Sequence, residues 1–81
     1  MKVTVRLFAT FREAAGTSES VTQVEPGTTV AQLWDALQVQ YPPLKPMGTI
    51  SAFAVNGTYA RATTQLSDGD EVAFIPPVSG G

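Results

Sequence analysis

Polar and apolar residues alternate from the first positions of the chain, with Val3, Val5 and Leu7 set between Lys2, Thr4 and Arg6. A period of two predicts a strand buried on one face and wetted on the other. Phe8 falls on the wetted face, where a large apolar ring is out of place. Thr10 to Ala15 reads as one or two helical turns, stopped by Gly16, which can take the left-handed conformation that ends helices. A second strand is expected over 20–24, with Val21 and Val24 as its apolar residues, closed by the turn Glu25-Pro26-Gly27.

The period then changes. Val30, Leu33, Trp34, Leu37 and Tyr41 recur at the spacing of a single helical stripe, opposite Gln32, Asp35 and Gln38. Thr29 with Gln32 three positions later forms a capping-box pattern at its start, and Pro42-Pro43 ends it. Beyond a loop through Pro46 and Gly48, Ala52 to Val55 is a short apolar strand. Asn56-Gly57, which both tolerate positive φ, predicts a tight hairpin to a brief strand over 58–60. A turn through Asp68-Gly69-Asp70 leads to a last strand over 71–75. Short strands around one long helix are satisfied by a mixed sheet with the helix packed across one face. The expected fold class is therefore α+β, the β-grasp or ubiquitin-like architecture, with a body over 1–77 and an extended tail over 78–81.

Composition narrows the chemistry. At 81 residues there is room for one domain and one core, hiding roughly 60% of the surface its unfolded chain exposes, so function is expected on the surface or at a terminus. The chain has no cysteine and no histidine, which removes disulfides, the usual zinc ligands and imidazole-assisted nucleophiles. Five basic against seven acidic residues give a net charge of -2. Lys2, Arg6, Arg12, Lys45 and Arg61 form no stripe, so a nucleic-acid partner is not expected. No apolar run approaches the ~20 residues of a membrane helix, and Met1 leads directly into a strand; a cytoplasmic protein with no membrane partner is expected.

Few residues compete for a functional role. Asp68 and Asp70 could pair around a metal, but a calcium loop needs further oxygen ligands and a distal Glu, so turn chemistry explains them better. Trp34 and Tyr41 lie on the helix's apolar stripe and read as core, and Arg12-Glu13 reads as a solvated pair.

Two features remain. Pro76-Pro77 cannot donate to a sheet ladder and favours an extended exit from the last strand. Val78, Ser79, Gly80 and Gly81 follow, and four residues reach at most ~13 to 14 Å. Gly80 and Gly81 can thread a channel too narrow for side chains; a frayed terminus is the alternative. The other feature is apolar. With the first and last strands parallel and adjacent, Phe8 and Ile75 would sit side by side near the tail's root, joined by Tyr59, as an exposed interface patch. Cover by the connector or by loops is the alternative.

The run from Leu66 to Gly81, with Asp-Gly-Asp-Glu-Val and then Pro-Pro-Val-Ser-Gly-Gly, resembles the C-terminal signature of molybdopterin synthase small subunits, in the MoaD/ThiS family of sulfur carriers. Phe11 to Gly16 and Val55-Asn56 resemble that family too, so the similarity covers nearly the whole chain. The resemblance implies that an E1-like activating enzyme adenylates Gly81 with ATP and magnesium. A sulfur donor protein then displaces the adenylate, leaving a thiocarboxylate. By the same resemblance the tail over 78–81 would enter the large subunit of the synthase, with Pro76, Pro77, Val78 and Ser79 in contact with it and Gly80 beside the reacting Gly81. There sulfur passes to the pterin precursor, precursor Z, within a heterotetramer of two small and two large subunits. The carrier itself binds no cofactor or metal. The family's apolar contacts map onto Phe8, Tyr59 and Ile75, where the family pattern has Leu at the Tyr59 position and the larger Phe at the Ile75 position. Other readings of the same features are a carrier for a thiamine or thiolation pathway, a ubiquitin-like modifier joined to lysines, and a non-covalent adaptor that uses only its sheet.

Overall fold

In the computed structural model, which describes residues 1–47 and 52–76, the alternating first segment is a central strand. The elements are β1 (Lys2–Leu7), α1 (Ala9–Ala15), β2 (Glu19–Gln23), α2 (Val30–Gln40), a 3-10 turn (Pro42–Met47), β3 (Ala52–Val55), β4 (Thr58–Ala60) and β5 (Glu71–Ile75). They form one five-stranded sheet in the order β2-β1-β5-β3-β4. β1 and β5 run parallel, and the other neighbours are antiparallel. This is the mixed sheet of a β-grasp, with α2 packed on one face. Neither helix is long and apolar enough to cross a membrane.

The core is where the two periods meet. Val3, Val5 and Leu7 of β1 and Val72 and Phe74 of β5 face Val30, Leu33, Trp34 and Leu37 of α2, all buried. The capping box at the start of α2 is complete: Gln32 N–H donates to Thr29 Oγ1 at 3.2 Å, and Thr29 N–H donates to Gln32 Oε1 at 3.0 Å. Trp34 is the hub of the interior. Its ring lies 5.0 Å from that of Phe11 in α1 and 5.1 Å from that of Phe74 in β5, and Phe74 meets Phe53 of β3 edge-on at 5.9 Å. Its indole N–H has no acceptor among the described residues. Such an orphan costs about 1–3 kcal/mol, less than the apolar contact of a buried indole returns.

Three details differ from the sequence expectation. β2 begins one residue earlier, and Val21 faces solvent while Thr22 is buried. Directly paired residues share a face, and Val3 pairs with Thr22 while Thr4 pairs with Val21. The phase of β2 is thus set by its partner strand, not by its own valines. Tyr41 caps α2 half-buried, with its hydroxyl donating to Ser20 Oγ at 3.1 Å. The segment after Pro42, read as a loop, is a 3-10 turn that buries Leu44 completely. Gly48 of that expected loop, Pro77 at the end of the expected body and the tail over 78–81 lie outside the described residues.

Removing the hub tests this account: Trp34→Ala is expected to cost about 3–5 kcal/mol in a urea titration, a large share of the stability of so small a domain. Thr29→Ala, which breaks only the capping box, should cost about 1 kcal/mol in the same measurement.

Candidate partner-docking face

The face of the sheet away from α2 is set by the same registers. Arg6 pairs with Ala73 in the parallel β1–β5 ladder, and Leu7 with Phe74. Ala52 pairs with Ile75, and Ala54 with both Ala73 and Tyr59. Phe8 continues β1 by one extended residue, φ -123° and ψ 154°, which brings it alongside Ile75. The outer face is therefore a row of Phe8, Ile75 and Ala52 beside a row of Arg6, Ala73, Ala54 and Tyr59. Phe8 is 42% exposed and Tyr59 78%, while Ile75 is half-buried between its neighbours. The alternative, that loops cover Phe8, does not hold among the described residues.

The composition of this face suits reversible contact. Alanines make a low floor between the taller Phe8 and Tyr59, so an entering side chain can lie flat on the sheet. The far end is polar: Arg6 and Glu71 approach to 3.7 Å, both about half exposed, a pair that contributes at most about 1 kcal/mol. An apolar patch rimmed by charge marks an interaction surface.

A strained turn holds Phe8 on that face. The strain lies in the backbone at Ala9, whose φ of 49° is a left-handed conformation for a residue with a Cβ. The Phe8 carbonyl accepts from the N–H groups of Phe11 at 3.0 Å and Arg12 at 3.4 Å. The chain thus turns at once from an extended Phe8, facing outward, to α1, whose Phe11 is buried against Trp34. The helix begins at Ala9, one residue before the expected Thr10, and the strain leaves no mark in the sequence, since alanine carries no signal for positive φ. Gly16 ends α1 in the left-handed conformation expected of it, φ 76°.

At the root of the tail, Pro76 follows β5 directly and is buried, so the body extends through this residue. Pro77, Val78, Ser79, Gly80 and Gly81 lie outside the described residues.

Asp68 and Asp70 hold the turn and its neighbours together. Asp68 Oδ1 accepts the Lys2 N–H at 2.7 Å, and Gly69 N–H donates to the Lys2 carbonyl at 2.8 Å. Asp70 Oδ2 accepts the Ser67 N–H at 2.7 Å, and its Oδ1 accepts from Asn56 Nδ2 at 2.9 Å. These carboxylates fasten the turn before β5 to β1 and to the β3–β4 hairpin. An open groove of about 690 Å³ lies elsewhere, between the end of β2 and α2, lined in part by Met1, Val24, Glu25, Gln32 and Asp35. Its carboxylates, Glu25 and Asp35, have no imidazole or thiol to work with, and the exposed apolar face carries the stronger functional signal.

Comparison with known proteins gives the family and agrees with the fold. The model of the ThiS family matches residues 5–81. This chain belongs to the ThiS family. Within the MoaD/ThiS group of sulfur carriers, it is 45% identical to the molybdopterin synthase sulfur carrier subunit of Mycobacterium tuberculosis, covering 100% of this chain and 99% of that protein. Among solved structures it is similar to the small archaeal modifier protein SAMP1 of Haloferax volcanii, with a TM-score of 0.87 and 31% identity over 100% of both chains. It is also similar, with a TM-score of 0.68 and 27% identity over 100% of both chains, to a chain in the complex of subunits 1 and 2 of the Helicobacter pylori molybdopterin-converting factor.

The strained turn gives this ThiS-family fold a direct test. Ala9→Gly should raise the unfolding free energy by about 1 kcal/mol, because glycine adopts the same φ without the Cβ clash. Differential scanning calorimetry reads the sign.

Proposed function

We propose that this chain is the sulfur carrier subunit of a molybdopterin synthase, with Gly81 as the reacting residue. The observation that carries the reading is the 45% identity, over the whole chain, to a relative with that role. A carboxylate is an anion and a poor electrophile at neutral pH. Adenylation by an E1-like partner, using ATP and magnesium, turns its oxygen into part of a leaving group. A sulfur donor protein displaces AMP and leaves a thiocarboxylate, whose sulfur is a better nucleophile than the oxygen it replaces. The tail carries it into the large subunit, where it passes to precursor Z.

The residues of this chain bind and position; the acids, bases and cations belong to the partners. Phe8, Tyr59 and Ile75 dock the sheet face on the large subunit, close to the root of the tail. Pro76 anchors the tail in the body. Pro77, Val78 and Ser79 span the entry channel, and Gly80 lets the chain pass its narrowest point. The pairing of subunits 1 and 2 in the Helicobacter pylori complex supports a large-subunit partner. The cytoplasm, where nucleotide and partners meet, is the proposed site of action.

The likeness to SAMP1 favours one second reading, in which the same activated glycine is joined to a lysine of a target protein. The two differ in product. Intact mass of the chain from its native cells shows sulfur in place of oxygen at Gly81 in the carrier reading, and denaturant-resistant conjugates in the modifier reading.

Deletion of Gly81 should leave the thermal midpoint unchanged and abolish both adenylation and sulfur transfer in a reconstituted synthase assay; retained transfer rejects the carrier role. Phe8→Lys should weaken binding to the large subunit by at least about tenfold in calorimetric titration, as expected of a charge placed in the centre of an apolar contact.

A further inference from the structure

The β3–β4 turn holds the only asparagine of the chain, Asn56, followed by Gly57. Both are exposed, and both have positive φ, 52° and 83°. An asparagine followed by glycine is chemically primed for cyclisation, because no side chain hinders approach of the glycine nitrogen to the asparagine side-chain carbon. In this fold that side chain is not free. Asn56 Nδ2 donates to Asp70 Oδ1 at 2.9 Å, and Asn56 Oδ1 accepts the Glu71 N–H at 2.9 Å. The Asn56 N–H donates to the Glu71 carbonyl at 2.8 Å. Both ends of the amide are thus tied to the start of β5, and Asp70 is itself held through Ser67.

We propose that Asn56 is a latent deamidation site, kept unreactive by its bonds to Asp70 and Glu71 and exposed to reaction when the corner between the β3–β4 hairpin and β5 opens. In the reaction the Gly57 backbone nitrogen, giving up its proton to solvent base, forms a bond to Asn56 Cγ. The Cγ–Nδ2 bond breaks, ammonia leaves, and a succinimide ring closes. Water then opens the ring at either carbonyl, giving aspartate or isoaspartate at position 56. Departure of the nitrogen requires loss of the Asp70 bond, so the same contact that orders the corner suppresses the chemistry. The product sets a second carboxylate against Asp70, where a donor had been, and like charges at that distance repel. Modification therefore loosens the corner that unmodified Asn56 closes.

The test follows the gain in mass of amide-to-acid conversion, with peptide mapping to locate it, at mildly alkaline pH. The native protein should convert at least about tenfold more slowly than the same protein unfolded in urea, since only the opened fraction reacts. Asp70→Ser, verified as folded by far-UV circular dichroism, should convert faster than the unaltered protein. If that variant does not fold, a urea series below the unfolding transition of the unaltered protein replaces it, and the rate should rise with urea. Equal rates in native and unfolded protein, a folded Asp70→Ser variant no faster than its parent, a urea series without slope, or conversion at a glutamine would each overturn the proposal.

Discussion

The parallel pairing of β1 with β5 is the contact on which the rest of the molecule depends. It joins the first and last strands at the centre of the sheet, Thr4 beside Glu71 and Leu7 beside Phe74. Parallel neighbours cannot be linked by a tight turn, so everything between them must cross over and return. That crossover contains α2, and the pairing sets α2 against the apolar residues of both strands. The same register sets Phe8 beside Ile75 on the opposite face. Core and exposed apolar face are thus two sides of one ladder.

The interior is organised by aromatic contact more than by hydrogen bonding. Trp34 touches rings from α1 and β5, and Phe74 passes the contact on to Phe53 in β3. Rings offer large apolar area with few rotatable bonds, which suits a small domain with little area to bury. The indole N–H has no acceptor among the described residues, and packing area outweighs that hydrogen bond. Polar side chains are concentrated instead at the corner near Asn56, where Asp68, Asp70 and Asn56 satisfy backbone groups that no strand reaches.

The functional economy follows. A chain without histidine or cysteine supplies no imidazole or thiol chemistry, and a domain this small has little room for a deep pocket. Its resources are a rigid sheet, an exposed apolar face and a C-terminal segment rooted at a buried proline. The strain at Ala9 belongs to this economy: an abrupt turn keeps Phe8 outside while Phe11, three residues later, enters the core. Backbone strain persists where surrounding packing over-determines it.

Much of this was legible in the residues themselves. The two periods located β1 and α2, Thr29 and Gln32 fixed the start of the helix, Gly16 the end of α1, and Asn56-Gly57 the hairpin. These are local signals, because capping and positive φ depend on residues within one turn of each other. Phe8 stood out as a misplaced ring before its neighbours were known. The phase of β2 was not legible: Val21 and Val24 lie on opposite faces of a strand and so set none, and pairing with β1 put Val21 out and Thr22 in. Leu44, isolated between prolines, showed no period, and Ala9 looked ordinary until the turn required positive φ. The chain by itself determined its elements and the lack of imidazole and thiol groups. Tertiary structure alone decided which faces those elements present, because strand register and packing are set by residues far apart in sequence.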